Sequence, residues 1–476
     1  LSPGTDAMTQ PLYALSAAEL GAAYRSKELS PVEVMRSVIA RIEALEPQLH
    51  ATWLFRPERA LEQACASQAR WHAGRPRGAL DGVPLTLKDN LATAGDPMPL
   101  GTAAYDLTPM AQDSPPAARL REGGAVLVAK TTMPDLGMLS SGLSTFHALS
   151  RNPWNLSRTP GGSSAGAGAA AAAGYGPLHV GTDIGGSLRL PASWCGIYTL
   201  KPSAGRIPLS APYMGRCAGP MTRTVADAAL LMQSVAQPDE RDYSELPPAA
   251  IDWAAFAVEP SFLAGKRVGL LMDAGCGLPL DPQIAAAVHR AAKRIEAAGA
   301  QVQEIRPFMT PMMLQGMDHF WRMRALIDIR ALPAHKRAQI LPYINAWAES
   351  ASGFSGEHIF NAYSQFIATR AATVAATQAY DFVISPVSPN MPAPAEHASP
   401  TNDPLLSMEH IGFTVPYNMS EQPAASINCG YSAEGLPIGL QIAGRRFDDL
   451  GVLQFSRAFE QIRETQRPWP PFGAPR

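Results

Sequence analysis

The chain has 476 residues, 46% of them hydrophobic and 17% charged, enough apolar material for a large core, which excludes disordered and fibrous classes. A net charge of −2 leaves no electrostatic footprint for nucleic acid or an anionic membrane, so the expected partner is a small molecule. Cys65, Cys195, Cys217, Cys276 and Cys429 are too scattered for a disulfide framework or a CxxC metal site, and no apolar run approaches the roughly 20 residues that span a bilayer. Reduced thiols, a cytoplasmic location and no membrane contact are the expectations.

In chain order, Leu1 to Gln10 reads as a tag or unstructured leader, and residues 11–476 as one domain. Two capping boxes follow, Ser16 with Glu19 and Ser30 with Glu33, the latter with Pro31 at the first helical position, and helices are predicted to start there. In the second, Met35, Val38, Ile42 and Leu45 form an apolar stripe. "GVPLTLKDN" and "GAVLVAKTT" are short apolar runs bounded by Gly and polar residues, the pattern of buried strands, and Lys88 and Lys130 stand at their ends. Further strands are predicted at 178–183, 267–272, 381–386 and 424–428, with a helix from Asp281 to Ala300 leading into the strand-like "QVQEI". This alternation argues for an α/β fold with a largely parallel sheet and helices on both faces. The Pro-rich stretches 236–266 and 385–404 read as loops over one core. Residues 310–375 read as helical, their methionines and aromatics packing the core, with an adaptable substrate wall as the lesser reading.

Near the middle lies "RTPGGSSAGAGAAAAAG", Arg158 to Gly174. Gly162, Ser164 and Gly166 match the GxSxG nucleophile elbow, but that motif needs an apolar strand before it, and "RNPWNLSRTP" supplies two prolines instead. Gly166, Gly168 and Ala171 match a dinucleotide fingerprint that lacks the same strand and the acid that would hold a ribose. A flexible linker is disfavoured too, because Ala169 to Ala173 is a strong helix former. What remains is a glycine turn feeding a closely packed helix, with Ser163 and Ser164 at its N-terminus.

Downstream, "DIGGS" exposes consecutive backbone N–H groups, as an oxyanion hole requires, with Ser187 at its end. A serine nucleophile needs a base. His179 is the one histidine near either element, and its strand-like surroundings suit a structural residue. Lys88 is the alternative: burial disfavours its charged form and makes it a proton acceptor near neutral pH, although a lone strand-end lysine also fits a solvated surface.

Together, "GVPLTLKDN", "TPGGSSAGA", "GTDIGGSLRLPASWCGIYTLKPS" and "GLPIGLQIAGRRFDD" resemble the amidase signature family in order from about Leu12 to Arg463. The resemblance implies a single α/β domain around a mixed, mostly parallel sheet, its signature core at about 80–230, and amide hydrolysis or transfer by a Ser-Ser-Lys triad. By that resemblance Ser187 is the nucleophile, Lys88 the base, and Ser163, 24 residues before Ser187, the bridging serine held after a cis peptide. Ile184, Gly185, Gly186 and Ser187 would supply the oxyanion-hole N–H groups, Ser164, Asp183 and Arg189 structural support, and Gly137, Met138 and Leu139 the acyl side of the pocket. Ala165 departs from the commoner Gly and does not touch the triad.

No metal or organic cofactor is implied. The primary expectation is a free-standing hydrolase, monomeric or homodimeric, for amides and variants such as anilides, carbamates or hydrazides, with an uncharged, apolar substrate. The alternative is the glutamine-hydrolysing amidase subunit of an amidotransferase; against it, no clear set of charged residues grips a free amino acid, and "DIGGSLR" departs from that branch's "DTGGSIR". A catalytically silent scaffold is disfavoured by the intact Lys88, Ser163 and Ser187.

Overall fold

In the computed structural model, which describes residues 10–470, both expected capping boxes form. Ser16 Oγ accepts from Glu19 N at 3.2 Å and Ser30 Oγ from Glu33 N at 3.2 Å. The leader expected over residues 1–10 lies outside the described residues except for Gln10. Each N-terminal helix, Ala17–Ser26 and Pro31–Leu49, then buries its apolar stripe; Met35, Val38, Ile42 and Leu45 are all buried.

Eleven strands form one sheet: β1 Thr52–Trp53, β2 Pro84–Lys88, β3 Val126–Thr131, β4 Leu178–Asp183, β5 Tyr198–Lys201, β6 Cys217–Thr222, β7 Arg267–Leu270, β8 Gln301–Glu304, β9 Phe382–Pro386, β10 Ala424–Tyr431 and β11 Pro437–Gly444. Their spatial order is β1-β3-β2-β4-β6-β5-β10-β11-β9-β7-β8. Parallel pairing is confined to β2 with β3 and β4, and to β7 with β8 and β9. The other neighbours are antiparallel, so the sheet is mixed with an antiparallel centre, not mostly parallel. The cause is connection length: β10 and β11 are joined directly by residues 432–436, and β5 and β6 by a helix-free loop, whereas parallel neighbours need crossovers. β6 also escapes a pattern reading because "CAGPMT" carries a glycine and a proline, yet Pro220 pairs with Val180 in mid-sheet.

Alternation along β2 divides two environments. Leu85 and Leu87 enter the largest core cluster, with the helices Val225–Val235, Pro282–Ala297 and Asp449–Ile462, while Lys88 leaves on the opposite face. There the helix Ala165–Ala173 is buried over its whole length. A Cβ at Gly166 would stand 2.1 Å from the Ala51 carbonyl oxygen, which explains why the run contains only alanine and glycine. The segment 310–375 forms the helices Pro311–Arg330, Ala334–Arg337, Pro342–Glu349 and Gly356–Thr377, and buries Met317, Trp321, Trp347 and Phe366 in a second core with Leu139 and Ile411. The loop 236–266 contributes Trp253 and Leu263 to the main core, so it belongs to the same packing unit. Among the described residues no helix is long and apolar enough to cross a membrane, and all five cysteines are free.

Candidate active site

Lys88 ends β2 fully buried, and its Nζ lies 2.7 Å from Ser163 Oγ, 3.1 Å from Ser164 Oγ and 3.0 Å from Thr182 Oγ1. Burial pushes its ammonium well below the usual lysine range; the Arg216 charge adds to that, and Asp183 and Asp89 oppose it. A neutral amine has two hydrogens and one lone pair. Ser164 donates its own hydrogen to the Thr182 carbonyl at 3.1 Å, and Thr182 Oγ1 is held by the Asn90 amide at 3.0 Å, so both serve as acceptors for Lys88. The lone pair is left for the hydroxyl of Ser163, the shortest of the three contacts.

Ser163 follows a cis peptide bond after Gly162 and precedes the Ala-rich helix. The elbow candidate Ser164 is buried in the network under Lys88, with its N–H donating to the Ser187 carbonyl at 3.3 Å. His179 bonds Thr86 Oγ1 at 2.8 Å through Nδ1 and the Gly176 carbonyl at 3.1 Å through Nε2. Burial pushes it down to about 3, which fits the structural role read from its strand.

The loop after β4 turns around Asp183. Its carboxylate accepts from Gly186 N at 2.8 Å, Leu188 N at 3.0 Å and, bidentately, from Arg189 at 3.0 Å to each oxygen. Arg189 is itself fully buried and also donates to the Thr414 carbonyl and Gln441. Burial alone raises the Asp183 carboxyl, but the Arg189 charge and hydrogen bonds outweigh it and hold the group well below the usual carboxylate range. One sequence expectation meets a constraint here: of the four expected oxyanion donors, the Gly186 N–H is committed to Asp183. Gly186 has φ +135°, and a Cβ there would meet Thr414 Oγ1 at 2.7 Å.

Ser187 opens into a cleft of about 120 Å³. Gly137, Met138 and Leu139 line it, together with Ile184 and Gly185. A Cβ at Gly137 would stand 3.6 Å from Ser163 Oγ, so this turn brings the cleft to the edge of the buried network. Sequence reasoning missed Thr182, Trp321, Trp347 and Ile411. It also found no charged residues for the pocket, whereas the structure brings Arg324 into its wall. Only the Met-rich segment 310–375 hinted at that wall; nothing local marks Thr182.

The amidase family model matches residues 33–453. A glutamyl-tRNA(Gln) amidotransferase subunit from Moorella thermoacetica is 33% identical over 97% of this chain and 99% of that protein; its counterpart in Myxococcus xanthus is 34% identical over 94% and 97%. Among solved structures, a bacterial aryl acylamidase of the amidase signature enzymes superposes with a TM-score of 0.87 at 30% identity, covering 95% of this chain and 97% of that one. A 6-aminohexanoate cyclic dimer hydrolase gives 0.84 at 26% identity, with 95% and 98% covered.

Proposed function

Because this chain belongs to the amidase signature family, we propose that it hydrolyses carbon–nitrogen amide-type bonds through a Ser187 acyl-enzyme. The observation that carries the reading is the 2.7 Å contact between Ser163 and a fully buried Lys88, whose pKa burial lowers, at the edge of the cleft into which Ser187 opens. Lys88 takes the Ser163 proton, Ser163 takes the proton of Ser187, and Ser187 Oγ attacks the amide carbonyl. The N–H groups of Ile184, Gly185 and Ser187 stabilise the developing oxyanion, commonly worth about 10²–10³ in rate for one donor. The relay returns the proton to the leaving amine; water then attacks the ester by the same route. The walls of Met138, Leu139, Trp321 and Trp347 suit an apolar group next to the reacting carbonyl.

A second reading, the glutamine-hydrolysing subunit of an amidotransferase, draws on the 33–34% identity to such subunits over nearly the whole chain. In that case the enzyme works with partner subunits and delivers ammonia. Assay of the isolated chain against an aryl amide and against glutamine separates the two. Cleavage of the aryl amide with the higher kcat/KM supports the free-standing enzyme; glutaminase activity that appears with an added partner replaces it.

A further inference from the structure

The cleft beside Ser187 is apolar apart from one charge. Arg324 lines it three residues after Trp321 on the helix Pro311–Arg330, and its Cζ lies 3.9 Å from the centre of the Tyr213 ring. Tyr213 opens a turn closed by the Arg216 N–H donating to its carbonyl at 2.9 Å, and so the turn that supports Arg324 also presents Arg216. Burial, and after it the Arg324 charge, weakens the hold of Arg216 on its proton, and the Arg216 charge in turn lowers Lys88. Arg216 is half-buried and its side chain donates to the Ala211 carbonyl at 3.3 Å; among the described residues no carboxylate pairs with it. Arg324 shares only a long, half-exposed contact of 3.8 Å with Asp328. With no carboxylate on Arg216 among the described residues and the long Asp328 contact on Arg324, the positive charge on this side of the buried lysine is only partly balanced, and an anion would complete it.

We propose that Arg216 and Arg324 bind a carboxylate carried by the substrate at the end of its apolar body, remote from the scissile amide. The inference rests on the reading of Ser187 as nucleophile. It replaces the uncharged substrate expected from sequence with a monoamide of a dicarboxylic acid: an acyl chain that packs against Met138 and Trp321 and ends in an anion for the two guanidinium forks. The carboxylate is a spectator. The C–N bond breaks, the amine leaves with the relayed proton, and water converts the Ser187 ester to a second carboxylate. A free amino acid shares the anion but brings an ammonium next to two cations, and Asp328 is already beside one of them, Arg324.

The test compares glutaryl 4-nitroanilide with pentanoyl 4-nitroanilide. The expected result is a glutaryl preference in kcat/KM of about tenfold or more, which falls towards unity in Arg216→Met and Arg324→Met; the ratio cancels any general effect of the lost charge on Lys88. Calorimetry on the Ser187→Ala protein supplies a readout without turnover: glutaryl anilide binds more tightly than pentanoyl anilide, and the difference disappears in the arginine variants. Equal or reversed preference in both assays, a preference that survives both arginine variants, or ammonia release from glutamine outpacing glutaryl anilide cleavage overturns the inference. Arginine-dependent binding of glutaryl anilide with neither anilide cleaved supports the carboxylate site and removes the nucleophile reading instead.

Discussion

The ends of β2 and β3 provide an internal comparison between two buried lysines. The strands are parallel neighbours with Leu87 opposite Lys130 and Lys88 opposite Thr131, so the lysines leave the sheet on opposite faces. Both are buried to about the same degree. Lys130 Nζ donates to the Leu91 carbonyl, and burial pushes it down only to about 8 because Asp89, Asp96 and Asp113 oppose the shift. Lys88 meets three hydroxyls, and Arg216 works with burial against its charge. A carbonyl can only accept a hydrogen bond, whereas a hydroxyl can also give up its hydrogen. Burial alone therefore does not make a lysine a base; the partner at its tip decides whether it holds a proton or takes one.

The sharpest break of this comparison is at the receiving end of the relay. Ser187→Ala should cost roughly 10⁴-fold or more in kcat and abolish fluorophosphonate labelling, read by peptide mass; labelling that moves to Ser164 would contradict the assignment. Next, Lys88→Ala should lower kcat by at least about 10²-fold, Ser163→Ala comparably, and the double variant barely further, since the two act as one unit. In wild type the rate should climb with pH through the lowered pKa of Lys88, because only the neutral amine accepts a proton, and this limb should be missing from Lys88→Ala. Lys130→Met is the counterpart: kcat should stay close to wild type while stability falls by about 1–3 kcal/mol through the unpaired Leu91 carbonyl, measured by urea unfolding.

The smallest effect is thermodynamic. Between the lowered pKa of Lys88 and the ordinary lysine value the unfolded group binds a proton that the folded group does not, so stability rises with pH across that range. The slope is about 1.4 kcal/mol per pH unit for one proton, and Lys88→Met should remove it.

The buried lysine–serine cluster was more legible in the sequence than the pocket wall was. Lys88, Ser163 and Ser187 lie in glycine-bounded segments whose backbone demands restrict composition, and "GGSSAGAG" is unusual because Gly166 has no room for a methyl. The pocket wall is different. Trp321 and Arg324 sit on an ordinary helix, where spacing cannot show which face meets the cleft, and the role proposed for Arg216 depends on the 213–216 turn whose Tyr213 ring lies against Arg324. The antiparallel centre of the sheet was hidden for a similar reason: β6 becomes a strand by pairing with β4 and β5, against its own Gly and Pro. The commitment of the Gly186 N–H to Asp183 depends on a loop bending back through three residues, a detail that a run of glycines leaves open.

That same Asp183 knot separates two kinds of acid sensitivity. Its carboxyl, held well below the usual range by Arg189, contributes its full stability above the ordinary carboxylate range and loses it progressively as pH falls from there through its lowered value. Protonation of Lys88 should stop turnover without touching this knot, so in the window where acid arrests the enzyme but stays above the lowered Asp183 value the mould should remain assembled. A pH jump back out of that window should restore full velocity within the mixing time of a stopped-flow instrument, with no lag for refolding.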